Sequence, residues 1–192
     1  MTALILGLVI FLGVHSTRLV ADDWRSGFIA RRGPMAWKGL YSVLSLVGFV
    51  LLVWGYGQAR QQPVVLWAVP RGAAHLASLL TLVSFVLLAA KEIPGNGIKA
   101  RVHHPMTLGI KVWAFAHLLA NNTLADLVLF GSFLAWSIAV FIAARRRDRA
   151  AGVEYAPGRL SRTLVAVAAG TAVWLVFAMW AHGWLIGVRP FG

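Results

Sequence analysis

Apolar runs of about twenty residues, separated by short polar stretches, set the pattern of this chain. The first covers 2–20 and ends on a polar edge of His15, Ser16, Thr17 and Arg18. Further runs lie at about 39–57, 72–90, 105–120, 124–144 and 164–186. A helix needs about 20 consecutive apolar residues to cross the hydrocarbon core of a bilayer. The pattern therefore predicts an all-α, polytopic membrane helix bundle with about six transmembrane helices, forming a single transmembrane domain over 1–192.

The breaks between runs carry recognisable signals. Gly33-Pro34 interrupts a predicted basic loop that holds Arg31, Arg32 and Lys38. Arg60, Gln61, Gln62 and Pro63 close the second run, and Leu66-Trp67 reads as an aromatic anchor at the interface. Pro94-Gly95-Asn96-Gly97 sits in the next loop, and Pro105 stands at a helix start, where its missing N–H costs nothing. Asn121-Asn122-Thr123 predicts a tight turn, and Thr123-Leu124-Ala125-Asp126 resembles a capping box with Asp in place of Glu. Arg145, Arg146, Arg147, Asp148 and Arg149 are expected to stop the fifth helix sharply. Gly7, Gly13, Gly39 and Gly48 are expected to permit close helix contact.

Composition agrees with lipid as the solvent. Of the 192 residues 59% are hydrophobic and 12% charged, and the mean hydropathy is +0.75. Soluble domains carry roughly 25% charged residues. The net charge of +12 would suggest nucleic acid in a soluble protein. Here the basic residues sit between apolar spans, where they suit anionic lipid headgroups, and no nucleic-acid partner is expected. Fourteen of the 18 Lys and Arg residues fall on the side of the first, third and fifth loops. Arg60, Arg71 and Arg189 fall on the other side, and Lys111 lies within a span. The positive-inside rule makes the basic side cytoplasmic and both termini periplasmic. The first run lacks a basic n-region and a cleavage site, and reads as a retained helix rather than a signal peptide. Cysteine is absent. That excludes disulfides, thiolate metal sites and covalent c-type haem attachment.

The candidate chemistry lies in the histidines. His15, His75, His117 and His182 fall in spans, and His103 and His104 open the fourth helix. Polar groups in a membrane usually face the bundle interior. Imidazoles in a cysteine-free chain could ligate a metal or haem; equally, a lone histidine can hydrogen-bond a neighbouring helix. On the fourth helix Met106, Ile110, Trp113, His117 and Asn121 form one stripe. Two readings fit it: a wall for a flat apolar ligand with an axial imidazole, or a packing face with one polar residue. His104 and Lys111 lie on a different face, and Lys111 can snorkel toward the cytoplasmic surface. The six acids lie in or near loops, and no G-x-S-x-G, P-loop or G-x-G-x-x-G motif is present.

At these residues the chain resembles the NnrU family of bacterial inner-membrane proteins, whose plant relative is zeta-carotene isomerase. Gly7-Leu8-Val9-Ile10-Phe11-Leu12-Gly13-Val14-His15-Ser16 is similar to the family's opening G-L-x-x-F-x-G-x-H-S. His104-Pro105-Met106-Thr107-Leu108-Gly109, then Trp113-Ala114-Phe115-Ala116-His117 and Asn121, resemble R-H-P-M-x-x-G…W-A-x-A-H-L-x-x-N. Phe130-Gly131-Ser132-Phe133 fits as well. The chain departs at Val102-His103, where the family often has Thr-Arg, and at Asn122-Thr123, where Gly-Asp is typical.

The resemblance implies a multi-pass protein of the bacterial inner membrane, linked to denitrification and nitric oxide metabolism. It also implies non-covalent haem b held by two histidines, with His15 and His117 in the matching positions. His75, His104, Trp113 and Asn121 complete the expected cofactor-binding set. A haem-dependent isomerase or oxidoreductase role is implied. The expected partners are the bilayer, haem and an apolar or small-molecule substrate, with a homo-oligomer left open. Depth pulls another way: at about 1.5 Å per residue, His15 and His117 differ by roughly 10 Å along the membrane normal. His75, His117 and His182 share a depth, which makes His75 the rival partner of His117. Two alternatives stand beside this. One is an S-adenosylmethionine-dependent membrane methyltransferase-like enzyme, suggested by His-Pro-x-x-x-Gly at a cytoplasmic helix start. The other is a non-catalytic assembly factor or transporter.

Overall fold

Helices occupy most of the chain in the computed structural model, which describes residues 1–191. In chain order they are α1 (Thr2–His15), α2 (Thr17–Val20), α3 (Asp22–Ala59), α4 (Ala73–Glu92), α5 (Gly97–Val102), α6 (Pro105–Ala120), α7 (Leu124–Ala150) and α8 (Leu160–Val176). A π turn at Phe177–Ala181 then leads into α9 (His182–Ile186). Each predicted apolar run is helical, and the protein is an all-α membrane bundle. Among the described residues four helices are long and apolar enough to cross a membrane: α3, α4, α7, and α8 continued to Ile186. The other two apolar helices, α1 and α6, have 14 and 16 residues. At 1.5 Å per residue they fall short of a hydrocarbon core of about 30 Å.

Two expected breaks are helical instead. The basic stretch after Asp22 is the first part of α3, interrupted only at Gly33, whose φ of 83° and ψ of 161° leave the helix. Asp22 and Asp23 favour a helix N-terminus, and Arg and Lys are good helix formers. Gly33-Pro34 breaks the helix as expected, and Pro34 then opens the next segment. The Arg145–Arg149 cluster likewise ends the apolar run without ending α7. Helix termination comes at Gly152, with φ 61°. The Val153 N–H reaches the Asp148 carbonyl (2.9 Å), and the Gly152 N–H reaches that of Arg149 (3.2 Å). This is a Schellman close. Leaving the bilayer changes side-chain solvation, but the backbone ladder continues until a residue can take the left-handed turn.

The described residues form two compact units. Unit 1 comprises Met1–Trp67 and Asn122–Trp136, and unit 2 comprises Ala68–Asn121 and the chain from Ser137 onward. In unit 1, α1 lies backbone-to-backbone on α3. A Cβ on Gly7 would stand 2.4 Å from the Leu52 nitrogen, on Gly48 2.7 Å from that of Phe11, and on Gly55 2.2 Å from that of Leu4. Gly7 and Gly48 thus do what their size suggested, whereas Gly13 and Gly39 meet open space. The predicted capping box forms: the Thr123 N–H donates to Asp126 Oδ2 (3.0 Å) and the Asp126 N–H to Thr123 Oγ1 (3.3 Å). Tyr56 Oη donates to Asp126 Oδ1 (2.5 Å), so this buried carboxylate is well satisfied.

In unit 2, α4 packs against α6 and α8. Gly109 lets α6 approach α4, where Ser84 Oγ donates to the Gly109 carbonyl (2.8 Å). Gly170 lets α8 approach Val86. Buried Asn96 closes α4 and caps α5. Its Nδ2 donates to the carbonyls of Ala90 (2.7 Å) and Ile93 (2.5 Å), and its Oδ1 accepts from the Lys99 N–H (2.8 Å). Trp180 and Trp184, 68% and 84% exposed near the end of the last span, are placed to serve as interface anchors.

Candidate functional site

An i, i+4 relation on a helix lets a histidine reach back to the preceding turn. His117 does so on α6: its Nδ1 lies 2.9 Å from the Trp113 carbonyl oxygen. A carbonyl only accepts, so Nδ1 carries the proton, and the lone pair of the neutral ring is on Nε2. Asn121 Nδ2 donates to the His117 carbonyl (2.8 Å), holding the end of α6. The Trp113 ring lies 4.9 Å from the His117 ring, centroid to centroid.

This stripe faces a cavity of about 430 Å³ within unit 2. Small-molecule sites commonly span about 300–1,000 Å³. Of the five stripe residues, Ile110, Trp113, His117 and Asn121 line it; Met106 is largely exposed. The α4 wall contributes Ser78, Thr81 and Phe85, and the far wall Trp174, Phe177 and His182. Trp174 Nε1 donates to Thr81 Oγ1 (3.1 Å), which itself donates to the Ser78 carbonyl (2.9 Å). The Phe85 and Phe177 rings meet at 5.6 Å and those of Trp174 and Phe191 at 5.9 Å. The walls are thus large and apolar, with two imidazoles and the Arg189 guanidinium as their ionisable groups.

The other expected residues have different surroundings. His75 is exposed on α4, between Ala74 and Ala77, which line the cavity while it does not. His104 caps the start of α6, and its Nε2 pairs with Asp148 Oδ2 at 2.6 Å. Tyr155 Oη donates to the same oxygen (2.6 Å). His104 is therefore an anchor of the α6 start, not part of the cavity wall. Its neighbour His103 has a φ of 65°, contacts Arg145 and lies on the Tyr155 ring. Desolvation, then the Arg145 guanidinium, push the His103 pKa below its ordinary value, against the pull of Asp148. Desolvation and the bond to Asp148 push the Tyr155 phenol up. Lys111 places its ammonium 5.0 Å from the Phe141 ring centre, a cation–π contact.

In unit 1, His15 repeats the local arrangement of His117. Its Nδ1 lies 2.7 Å from the Phe11 carbonyl. The ring is stacked on Phe11 at 4.2 Å and met by Tyr41 at 5.1 Å and Trp136 at 6.2 Å. Trp136 Nε1 donates to Ser16 Oγ (3.1 Å). The sequence motif around His15 thus forms an aromatic enclosure.

Among the described residues no three His, Asp or Glu side chains gather as a metal cage requires. The histidines that line the cavity, His117 and His182, stand on different helices. The family model described as NnrU protein matches residues 3–190. The chain belongs to the NnrU family. No curated protein and no solved structure matches it. For this NnrU protein, the motif His104-Pro105…Trp113…His117…Asn121 divides by role. Its first member holds a helix start, and its last three line a cavity. His182, Trp174 and Phe177 were not among the expected site residues. The signals that pointed to any of them were the place of His182 within a span and the depth it shares with His117.

Proposed function

We propose that this NnrU protein holds haem b non-covalently in the unit 2 cavity, where His117 would hold it. The observation that carries the reading is the His117 ring, which lines an aromatic-walled cavity with its Nδ1 tied to a carbonyl. Metal-ligating histidines characteristically donate their other ring N–H to a carbonyl or carboxylate, which fixes tautomer and orientation. The residues present fit the group. Trp113, Phe85, Trp174 and Phe177 suit an apolar macrocycle, and Arg189 suits its carboxylates. His15 is the second ligand that the family resemblance implies, and its ring carries the same bond to a carbonyl.

Bound haem supplies a one-electron redox centre and a Lewis-acidic iron, which serve redox, isomerase or sensing roles alike. The chain's own residues would orient the imidazole, exclude water with aromatic walls and fix the carboxylate end. Family membership supports a role in denitrification and nitric oxide metabolism in the bacterial inner membrane. Charge asymmetry supports periplasmic termini. Protein purified from haem-replete cells should show a Soret band, and His117→Ala should abolish it. A colourless preparation from such cells would refute the haem reading.

A further inference from the structure

Resting on the haem reading, we infer that His182 is the second imidazole of the cavity, in the position otherwise expected of His15 or His75. The first ground is placement. His182 lines the same cavity as His117, and exposed His75 does not.

The second ground is the backbone that puts His182 there. Trp174, Ala178 and His182 line the cavity at four-residue intervals. On a regular α-helix the residue eight positions on overshoots by about 80° at 3.6 residues per turn. The intervening Phe177–Ala181 segment is a π turn, whose wider winding rotates less per residue, takes up that overshoot and keeps His182 on the cavity side. Such turns cluster at functional sites because they cost helix stability and are kept for what they position.

The third ground is orientation. The chain reverses at Gly187, with φ 76°, and returns over α9. That return brings the Val188 carbonyl to 2.6 Å from His182 Nδ1. The His182 tautomer is thereby fixed as in His117, with the lone pair on Nε2. Phe177 meets the ring edge-on at 5.7 Å. Gly183 lies beside the returning chain, where a Cβ would stand 3.2 Å from Arg189 Cγ, a tight contact. One short segment thus supplies an oriented imidazole and a cation, the donor set for a planar ligand that bears a metal and carboxylates.

The test is spin state in the full chain, purified in detergent from haem-replete cells and examined in the ferric form by absorption and electron paramagnetic resonance. The wild type should be low-spin and six-coordinate. His182→Ala should retain haem through His117 but become high-spin, and added imidazole should restore the low-spin signal. His75→Ala and His15→Ala should remain low-spin. Should His182→Ala fail to assemble, His182→Gln keeps a hydrogen-bonding side chain and should give the same high-spin shift. A low-spin His182 variant, or a high-spin shift confined to His15→Ala, overturns the inference and leaves the haem reading intact. A wild type without haem overturns both.

Discussion

His15 and His117 have the same local structure and different company. Each makes an Nδ1 bond to the carbonyl four residues earlier. In unit 1 the His15 ring is packed on Phe11 and Tyr41. In unit 2 the His117 ring lines a cavity. The packing of the two units differs in the same sense. Unit 1 presses α1 onto α3 at Gly7, Gly48 and Gly55. Unit 2 has its own close contacts at Gly109 and Gly170, yet Trp113, Phe85, Trp174 and Phe177 stand around open volume. A helical i, i+4 relation prepares an imidazole, and the size of the residues around it decides whether there is room for a ligand.

Added bulk should break this contrast most strongly in unit 1. Gly55→Val would drive side-chain atoms into the Leu4 backbone, which no rotamer change relieves. Its cost should reach or exceed about 3 kcal/mol, the upper end for overpacking. Denaturant titration in mixed micelles should show the loss. An unchanged midpoint would contradict the packing described. Removing each unit's buried polar anchor comes next. Asp126→Ala frees Tyr56 and uncaps α7, and Asn96→Ala uncaps α5. Each should cost about 1–3 kcal/mol by the same titration, for the partners left unsatisfied.

Bulk in the unit 2 cavity should do the reverse. Ser78→Leu fills space on the α4 wall, so stability should hold or rise by about 0.5–2 kcal/mol. The Soret band per mole of protein should fall at the same time. A parallel loss of stability would mean that the wall is already closely packed.

The smallest effect is one of pH. The unfolded His103 titrates at about 6.5 and the native one lower, so between those values the unfolded chain binds the extra proton. The contribution of neutral His103 to stability is therefore complete above about pH 6.5 and is lost as pH falls through the native value. Hydrogen exchange over 97–104 should quicken as pH falls through that window, after correction for intrinsic rates. His103→Gln should remove the step.

The apolar runs, the Pro105 helix start and the Thr123–Asp126 cap were legible because each depends on neighbours in sequence. The same holds for Ile110, Trp113, His117 and Asn121 as one stripe. The helical basic stretch after Asp22 is not legible from hydropathy, because loss of hydrophobicity is not loss of helix. Arginine and lysine leave the bilayer but keep the ladder. His104 was expected beside a cofactor because it shares a motif with His117. Its partner Asp148 lies 44 residues away, and no spacing rule joins them.

By itself the sequence determined the membrane bundle, the six apolar helices and the stripe that carries His117, since hydrophobic run length and helical periodicity are local properties. Only the tertiary structure decided which histidines meet a cavity. That depends on a π turn, on the reversal at Gly187 and on aromatic walls drawn from three separate helices. These are packing outcomes, set by side-chain volume between segments far apart in the chain.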